Sequence, residues 1–134
     1  MRSNIDSSYN ITNISQSFTT YLKRFIAYID IERGLSKKTI YSYTSDLQDY
    51  TYWLQNNRNI NNVNDISQLY IESYVRYLTE SGLGSHTIAR RISSIHEWHR
   101  FMLSNSYVQV DVSKSVKSPK LAEHLSLIHI SERA

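Results

Sequence analysis

The amino-acid sequence predicts an all-α domain, a bundle of helices arranged as two hairpins. In four successive segments, apolar residues recur at the spacing of one helix face. The chain has only three glycines and one proline in 134 residues, and they fall between or after these segments. A chain of this length is expected to form one domain with a modest core.

The first hairpin is predicted to contain helices over residues 17–30 and 37–55. Gly34 is expected just past the end of the first helix, because glycine accepts the left-handed backbone conformation that terminates helices. Ser36 is suited to cap the second helix, because its hydroxyl can accept a backbone N–H of the first turn. The asparagine-rich stretch that ends at Asn64 is predicted to be a loop.

The second hairpin is predicted to start near Ser67, to turn at Gly82 and to continue as a fourth helix over residues 85–103. Residues 104–134 show weak periodicity, which we interpret as a short helix or strand leading into a linker. This last stretch holds a small basic run, Lys114, Lys117 and Lys120.

The turns of the two hairpins share a motif. The segment Gly34-Leu35-Ser36-Lys37-Lys38-Thr39-Ile40 matches Gly82-Leu83-Gly84-Ser85-His86-Thr87-Ile88 at Gly, Leu, Thr and Ile. In each copy the glycine stops one helix, and Leu and Ile occupy the two ends of a hydrophobic staple on the next. Recurrence of good capping chemistry by chance explains the match equally well, and two copies do not make a repeat array.

Composition excludes several classes of protein. The absence of cysteine excludes disulfides, zinc-thiolate sites and a cysteine nucleophile. No apolar run approaches the roughly 20 residues that span a bilayer, and the polar start of the chain lacks the pattern of a secretory signal. We therefore expect a cytoplasmic protein with no membrane partner. The net charge of +3 is mild, so the positions of the charges matter more than their sum.

Cations lie where they destabilise their own helices. Lys37 and Lys38 fall in the first turn of the second helix and oppose the positive end of its macrodipole, at a cost of a few tenths of a kcal/mol each. His86, Arg90 and Arg91 lie in the first two turns of the fourth helix. A helix N-terminus with cations and hydroxyls can bind phosphate. From charge placement alone, however, a solvated face is favoured over DNA binding.

Helical spacing places these polar residues on defined faces. Lys38, Ser42, Ser45 and Asp49 are predicted opposite the Ile40 stripe, Arg90 and Ser94 opposite the Ile88 stripe, and Arg91 at the edge of the latter. Asp46 and Asp49 are expected to be solvated helix surface rather than an acid–base pair.

No motif for metal binding or catalysis is present. His96 and His99 are three residues apart, whereas the zinc-protease pattern places two histidines four apart. His99 lies on the apolar side of its helix, so a satisfied, half-buried histidine is the better interpretation. There is no Gly-x-Ser-x-Gly elbow and no glycine-rich phosphate loop. We expect no metal, no cofactor and no small-molecule ligand.

Three stretches together are similar to Xer-type tyrosine recombinases. They are Glu32-Arg33-Gly34-Leu35-Ser36 with Thr39-Ile40, Tyr43 and Asp46-Leu47; Ser81-Gly82-Leu83 with Ile88-Ala89-Arg90-Arg91-Ile92-Ser93 and Arg100-Phe101; and Ser118-Pro119-Lys120-Leu121. The resemblance covers about residues 17–125. It implies a SAM-like core-binding domain, a four- to five-helix orthogonal bundle whose second and fourth helices meet the major groove of a double-stranded recombination site.

Carried over by position, the resemblance implies ten DNA-binding residues. They are Lys38, Thr39, Ser42 and Tyr43 on the second helix, Ser85, Thr87, Arg90 and Arg91 on the fourth, and Lys117 and Lys120 in the linker. The family usually has serine at the position of Gly84, so the cap of the fourth helix is expected to be weak.

The resemblance also implies a division of the chain. Residues 1–15 are expected to be flexible, 16–116 to form the core-binding domain and 117–125 to begin a linker, whereas 126–134 match nothing in the family and look artefactual. The family's catalytic residues lie in a separate carboxy-terminal domain. None of the eleven tyrosines is therefore nominated as a nucleophile, and no enzymatic activity is expected.

The resulting hypothesis is sequence-specific DNA binding by the amino-terminal domain of a site-specific recombinase. Such a protein would act with other recombinase protomers on DNA, in chromosome dimer resolution or in integration of a mobile element. The alternative is a helical protein-interaction module that recruits a partner through a tyrosine-rich surface.

Overall fold

The structure, a computed structural model, describes residues 11–119. Within this range the helices are α1 (Gln16–Ala27), α2 (Lys37–Arg58), α3 (Gln68–Glu80) and α4 (Ser85–Ser104). A π-helical turn, Tyr28–Glu32, extends α1, and a short 3-10 turn, Val63–Asp65, precedes α3. No strand occurs between residues 11 and 119. The predicted all-α fold class is confirmed.

The core forms where the two hairpins stack on each other. α2 packs most extensively on α4, and both contact α1 and α3. The fully buried Trp98 ring lies 6.5 Å from Phe18 and 6.2 Å from Tyr50, in edge-to-face geometry, and its indole N–H donates to the carbonyl of Tyr21 at 3.2 Å. Such ring pairs add about 0.5–1.5 kcal/mol each beyond the buried area. Trp98 therefore links α1, α2 and α4.

Both hairpin turns follow the predicted capping chemistry. Gly34 and Gly82 have positive φ, at 61° and 85°, so each ends its helix in the left-handed conformation. The Ser36 hydroxyl caps α2 by accepting the N–H three residues later at 3.2 Å. Gly84 is the N-cap of α4 and provides no side-chain bond, yet the helix still begins at Ser85.

Two predicted helix ends were wrong. The first helix was expected to end at residue 30, but its α-helical bonding ends at Ala27 and a wider turn follows, because the apolar pattern does not distinguish the two bonding schemes. The second helix continues past residue 55 to Arg58. The side chains of Asn56 and Asn57 each donate to the carbonyl four residues earlier, at 2.8 and 3.1 Å, and Asn59 then ends the helix with φ 58°.

The segment after α4 was predicted to be a short helix or strand, and this is wrong for residues 105–118, which form turns and bends. The Asp111 side chain accepts the N–H and the hydroxyl of Ser113 at 2.9 and 2.6 Å, and such local bonds compete with regular structure. His96 Nε2 lies 3.0 Å from the Val116 carbonyl oxygen, which ties the segment to α4.

The segment before α1 also contacts the bundle. The side-chain amides of Gln48 and Gln55 donate to the backbone carbonyls of Thr12 and Asn13. Residues 1–10 of the predicted flexible segment 1–15, the predicted tail 126–134 and Lys120 lie outside the described residues, so the predicted domain limits remain predictions. None of the helices between residues 11 and 119 is long and apolar enough to span a membrane.

Candidate nucleic-acid interface

The amino-terminal halves of α2 and α4 border an open cleft of about 310 Å³. The residues that line it are polar or charged, and they include two cations and several hydroxyl groups. The lining residues are Lys38, Thr39, Ser42, Tyr43 and Asp46 on α2 and Arg90, Ser93 and Ser94 on α4. The structure thus brings together five of the ten predicted DNA-binding residues, and we call this feature the α2–α4 cleft.

The first turn of α2 presents donors to one end of the cleft. Lys37 and Lys38 are exposed, and neither forms an ion pair with a residue in the range 11–119. The Thr39 hydroxyl lies 3.0 Å from that of Ser36 and so belongs to the helix cap. Free ammonium groups beside the positive end of a helix attract an anion such as phosphate.

Tyr43 contributes both to the core and to the cleft. Its ring packs edge-to-face on Phe25 with centroids 5.8 Å apart. Burial, reinforced by the nearby Glu97 carboxylate, raises the pKa of the Tyr43 hydroxyl above its usual value. The hydroxyl therefore stays protonated at neutral pH and can donate a hydrogen bond.

Arg90 forms a two-pronged ion pair across the helix interface. Its Nε and Nη2 donate to the two carboxylate oxygens of Asp46 at 3.1 and 2.6 Å, and the Ser94 hydroxyl donates to the same carboxylate at 2.8 Å. Asp46 is 2% exposed, whereas the Arg90 side chain is 54% exposed. The expectation that Asp46 is solvated helix surface was wrong, because α4 packs on α2 through this polar contact. Ser94, which was predicted opposite the Ile88 stripe, is buried in the same contact.

Arg91 lies against α3 and does not line the cleft. Its Nη1 lies 2.6 Å from an Asp49 carboxylate oxygen and 3.2 Å from the Tyr74 hydroxyl, which itself donates to that carboxylate at 2.6 Å. Burial, followed by the Asp49 charge, raises the pKa of Tyr74 far above its usual value, so this hydroxyl remains a donor. Asp49 is half-buried and paired, not a freely solvated group as expected.

The other predicted DNA-binding residues lie apart from the cleft. Ser85 is exposed and Thr87 half-buried in the first turn of α4, and neither lines the cleft. Lys117 is exposed beside α3, where it borders a second cleft with Arg76. Lys120 lies outside the described residues. DNA contacts by these residues remain predictions.

Two further cations lie near the α2–α4 cleft, one on α4 and one just after the π-helical turn. Arg33 and Arg100 are both exposed and share the carboxylate of Glu97, at 3.5 and 3.0 Å. Glu97 lies one turn beyond Ser93, which lines the cleft. Both arginines occur in the stretches that carry the family resemblance, but sequence spacing gave no reason to place them together.

The two histidines that resemble a metal motif serve as structural hydrogen-bonding groups. His99 is fully buried rather than half-buried, and its Nε2 lies 2.9 Å from the Tyr50 hydroxyl. Burial lowers the pKa of His99 to about 4. His96 is engaged with the Val116 carbonyl. Within residues 11–119 no three acidic or histidine side chains are grouped to hold a metal ion.

Comparison with known proteins gives consistent matches. Residues 22–106 match the family model described as phage integrase, N-terminal SAM-like domain. Tyrosine recombinase XerD of Bifidobacterium longum is 38% identical over 112 residues, which are 84% of this chain and 36% of that protein. XerD of Staphylococcus epidermidis strain RP62A is 32% identical over 106 residues (79% and 36%), and XerD of Halalkalibacterium halodurans is 32% identical over 104 residues (78% and 35%). The chain thus spans about a third of the length of these curated relatives. No solved structure matches it.

Proposed function

Because the chain belongs to the phage integrase N-terminal SAM-like domain family, we propose that it binds duplex DNA sequence-specifically, as the DNA-binding domain of a tyrosine site-specific recombinase. The observation that supports this most is the α2–α4 cleft, where Lys38 and Arg90 lie with several hydroxyl groups. Cations and hydroxyls of this kind contact phosphates and base edges in DNA complexes.

The two helices have different roles in this proposal. The first turn of α2 binds the phosphate backbone, because the free cations of Lys37 and Lys38 lie beside the helix N-terminus. The exposed side of α4, with Arg90 and Ser93, faces the base edges. A major groove about 12 Å wide admits one helix of this size.

The recombination chemistry belongs to the whole parent protein. The named relatives are tyrosine recombinases. We infer that the parent exchanges strands between two recombination sites in the cytoplasm, together with other recombinase protomers, in chromosome dimer resolution or in integration. In this proposal the chain contributes DNA binding, because the family model that it matches describes an N-terminal domain.

Fluorescence anisotropy of the 134-residue chain with a labelled duplex tests the proposal. Affinity should fall linearly on a logarithmic salt scale, with a slope of about −0.9 for each phosphate contact. A single-stranded oligonucleotide of the same sequence should bind more weakly, because one strand alone has no groove. Absence of binding at low salt, or an affinity that does not change with salt concentration, would reject DNA as the partner.

The second candidate function is a protein-interaction module. Tyr41 and Tyr52 are exposed on α2, and Ile31, Leu69 and Val110 are the most exposed large apolar residues of the range 11–119. Exposed apolar side chains of this kind occur at protein interfaces. This function is favoured if the chain ignores duplex DNA while Tyr41→Ser or Tyr52→Ser weakens the association with a protein partner.

A further inference from the structure

The guanidinium group of Arg90 is fixed along one of its edges. Nε and Nη2 donate to Asp46 at 3.1 and 2.6 Å, so both oxygens of the carboxylate are occupied by the same group. A two-point contact of this kind sets the orientation of the guanidinium plane as well as its position.

The carboxylate that holds Arg90 is itself buried and hydrogen-bonded. Asp46 is 2% exposed on α2, and the buried hydroxyl of Ser94 donates to it at 2.8 Å from α4. The support is therefore built from two helices that also form the core. Arg90 is the exposed member of this group, because its side chain is 54% exposed.

A second edge of the Arg90 guanidinium, formed by Nη1 and Nη2, is available for another contact in the described part of the chain. Nη1 has no hydrogen-bond partner within residues 11–119, and one hydrogen of Nη2 points away from Asp46. These outward N–H groups are two parallel donors at the mouth of the α2–α4 cleft. The edge matches the two acceptors, O6 and N7, that guanine presents in the major groove.

Neighbouring cations lack this arrangement. Lys38 is a point charge on a long aliphatic stem, no residue in the range 11–119 forms an ion pair with it, and it suits a phosphate better than a base. Arg91 uses its Nη1 on Asp49 and Tyr74, and its side chain is only 21% exposed.

The structure assigns to Arg90 the recognition of a guanine, and to Asp46 the positioning of Arg90 for that contact. This assignment rests on the proposed DNA binding. Simple charge complementarity makes the opposite prediction, because a carboxylate near DNA repels phosphate and its removal should strengthen binding to every sequence. For Asp46→Asn the two accounts therefore predict opposite changes in affinity for the preferred sequence: positioning predicts a loss, and charge complementarity predicts a gain.

A selection experiment on the full chain tests the assignment. The probe is a pool of duplexes with a randomised central segment, enriched by binding and then sequenced. The variants are Asp46→Asn, Arg90→Lys and Ser94→Ala, with Asp49→Asn as the matched control that removes one carboxylate from the same helix. Anisotropy titrations then compare the enriched duplex with one in which the selected guanine is replaced.

The wild type and Asp49→Asn should enrich guanine at one position and prefer it by about 10- to 100-fold. Arg90→Lys keeps the charge but loses the planar fork, so it should bind the unselected pool as well as the wild type and lose that preference. Asp46→Asn should also lose the preference, while its affinity for the unselected pool stays equal or rises. Ser94→Ala should lose part of the guanine preference.

Retained guanine preference in Arg90→Lys would overturn the assignment, whatever the stability of the Asp46 variant. Retained preference in an Asp46→Asn protein with wild-type circular dichroism would overturn the positioning role. If Asp46→Asn does not fold, an unchanged preference in Ser94→Ala overturns that role instead. A wild type that binds duplexes without enriching a guanine contradicts only this inference, whereas a wild type that binds no duplex contradicts the proposed function itself.

Discussion

Arg91 Nη1 lies 2.6 Å from Asp49 Oδ2, and this contact, together with the Tyr74 hydroxyl, joins α4 to α2 and α3. The side chain of the adjacent Arg90 is hydrogen-bonded to Asp46 of α2 and is more than half exposed. Two consecutive arginines that the family resemblance treats alike therefore have different surroundings, one between three helices and one at the mouth of a cleft.

Arg91→Ala should lower the free energy of unfolding by about 1–2 kcal/mol, because it removes a charge-assisted hydrogen bond and leaves the Tyr74 hydroxyl with one partner fewer. Urea denaturation measures this change. The affinity of Arg91→Ala for the enriched duplex should fall by no more than the affinity of a variant that lacks one exposed cation outside the cleft. Loss of guanine preference in Arg91→Ala would contradict this division of roles.

Arg90→Ala should be more destabilising, by about 2–4 kcal/mol, because it leaves the Asp46 carboxylate buried without its cation. Adding Asp46→Asn should restore part of this stability, since the double variant no longer buries a charge. A double-mutant cycle by urea denaturation measures the coupling, which should exceed about 1 kcal/mol. Additive effects would mean that the pair contributes little to the fold.

The stability of the domain should fall as pH drops from about 6.5 towards 4. Burial lowers the pKa of His99 to about 4, whereas the unfolded chain takes up the proton near pH 6.5. The unfolded state therefore binds more protons in this window, and about 3 kcal/mol of stability is lost across it.

His99→Gln can keep a hydrogen bond to Tyr50 but cannot titrate, so it should lose less stability over the same pH window than the wild type. His86→Gln is the control, because His86 is exposed in the first turn of α4. Denaturant unfolding at pH 7 and pH 4.5 gives the comparison. Equal pH dependence in all three proteins would show that His99 is not the titrating group.

Gly84→Ser should stabilise the domain by about 0.5–1 kcal/mol. Gly84 is the N-cap of α4, has extended backbone angles and has open space where a side chain would lie, so a serine hydroxyl can cap the helix without strain. Gly82→Ser is the contrast, because φ is +85° there and a side chain is strained. Thermal unfolding should show a higher midpoint for the first variant and a lower one for the second.

The helices and their caps could be predicted from the sequence because the signals are local. The Ile40 stripe, the Ser36 cap and the glycines at the two turns each act within a few residues, and all are present in the structure. The ends of α1 and α2 were less accurate, because Asn56 and Asn57 extend α2 by bonding back to their own helix, against their low helix propensity.

The pairing of charges could not be predicted from the sequence. Asp46 and Arg90 are 44 residues apart, and helical spacing places each of them on a polar face. Periodicity assigns polar residues to solvent, so it does not reveal an interface in which a carboxylate is buried by its own cation. Helical spacing predicted two separate polar faces but not the α2–α4 cleft between them. The prediction that both faces contact DNA came from the family resemblance.

The salt dependence of duplex binding by Lys38→Ala tests the central claim most directly. Lys38 is exposed and unpaired within the described range, so its loss should leave the fold intact, lower the affinity and reduce the logarithmic salt slope by about 1. Arg58→Ala is the matched control, because Arg58 is exposed at the other end of α2, about 30 Å away at 1.5 Å per residue. A slope reduced in Lys38→Ala and unchanged in Arg58→Ala supports DNA binding at the α2–α4 cleft, and equal slopes in both variants and the wild type would contradict it.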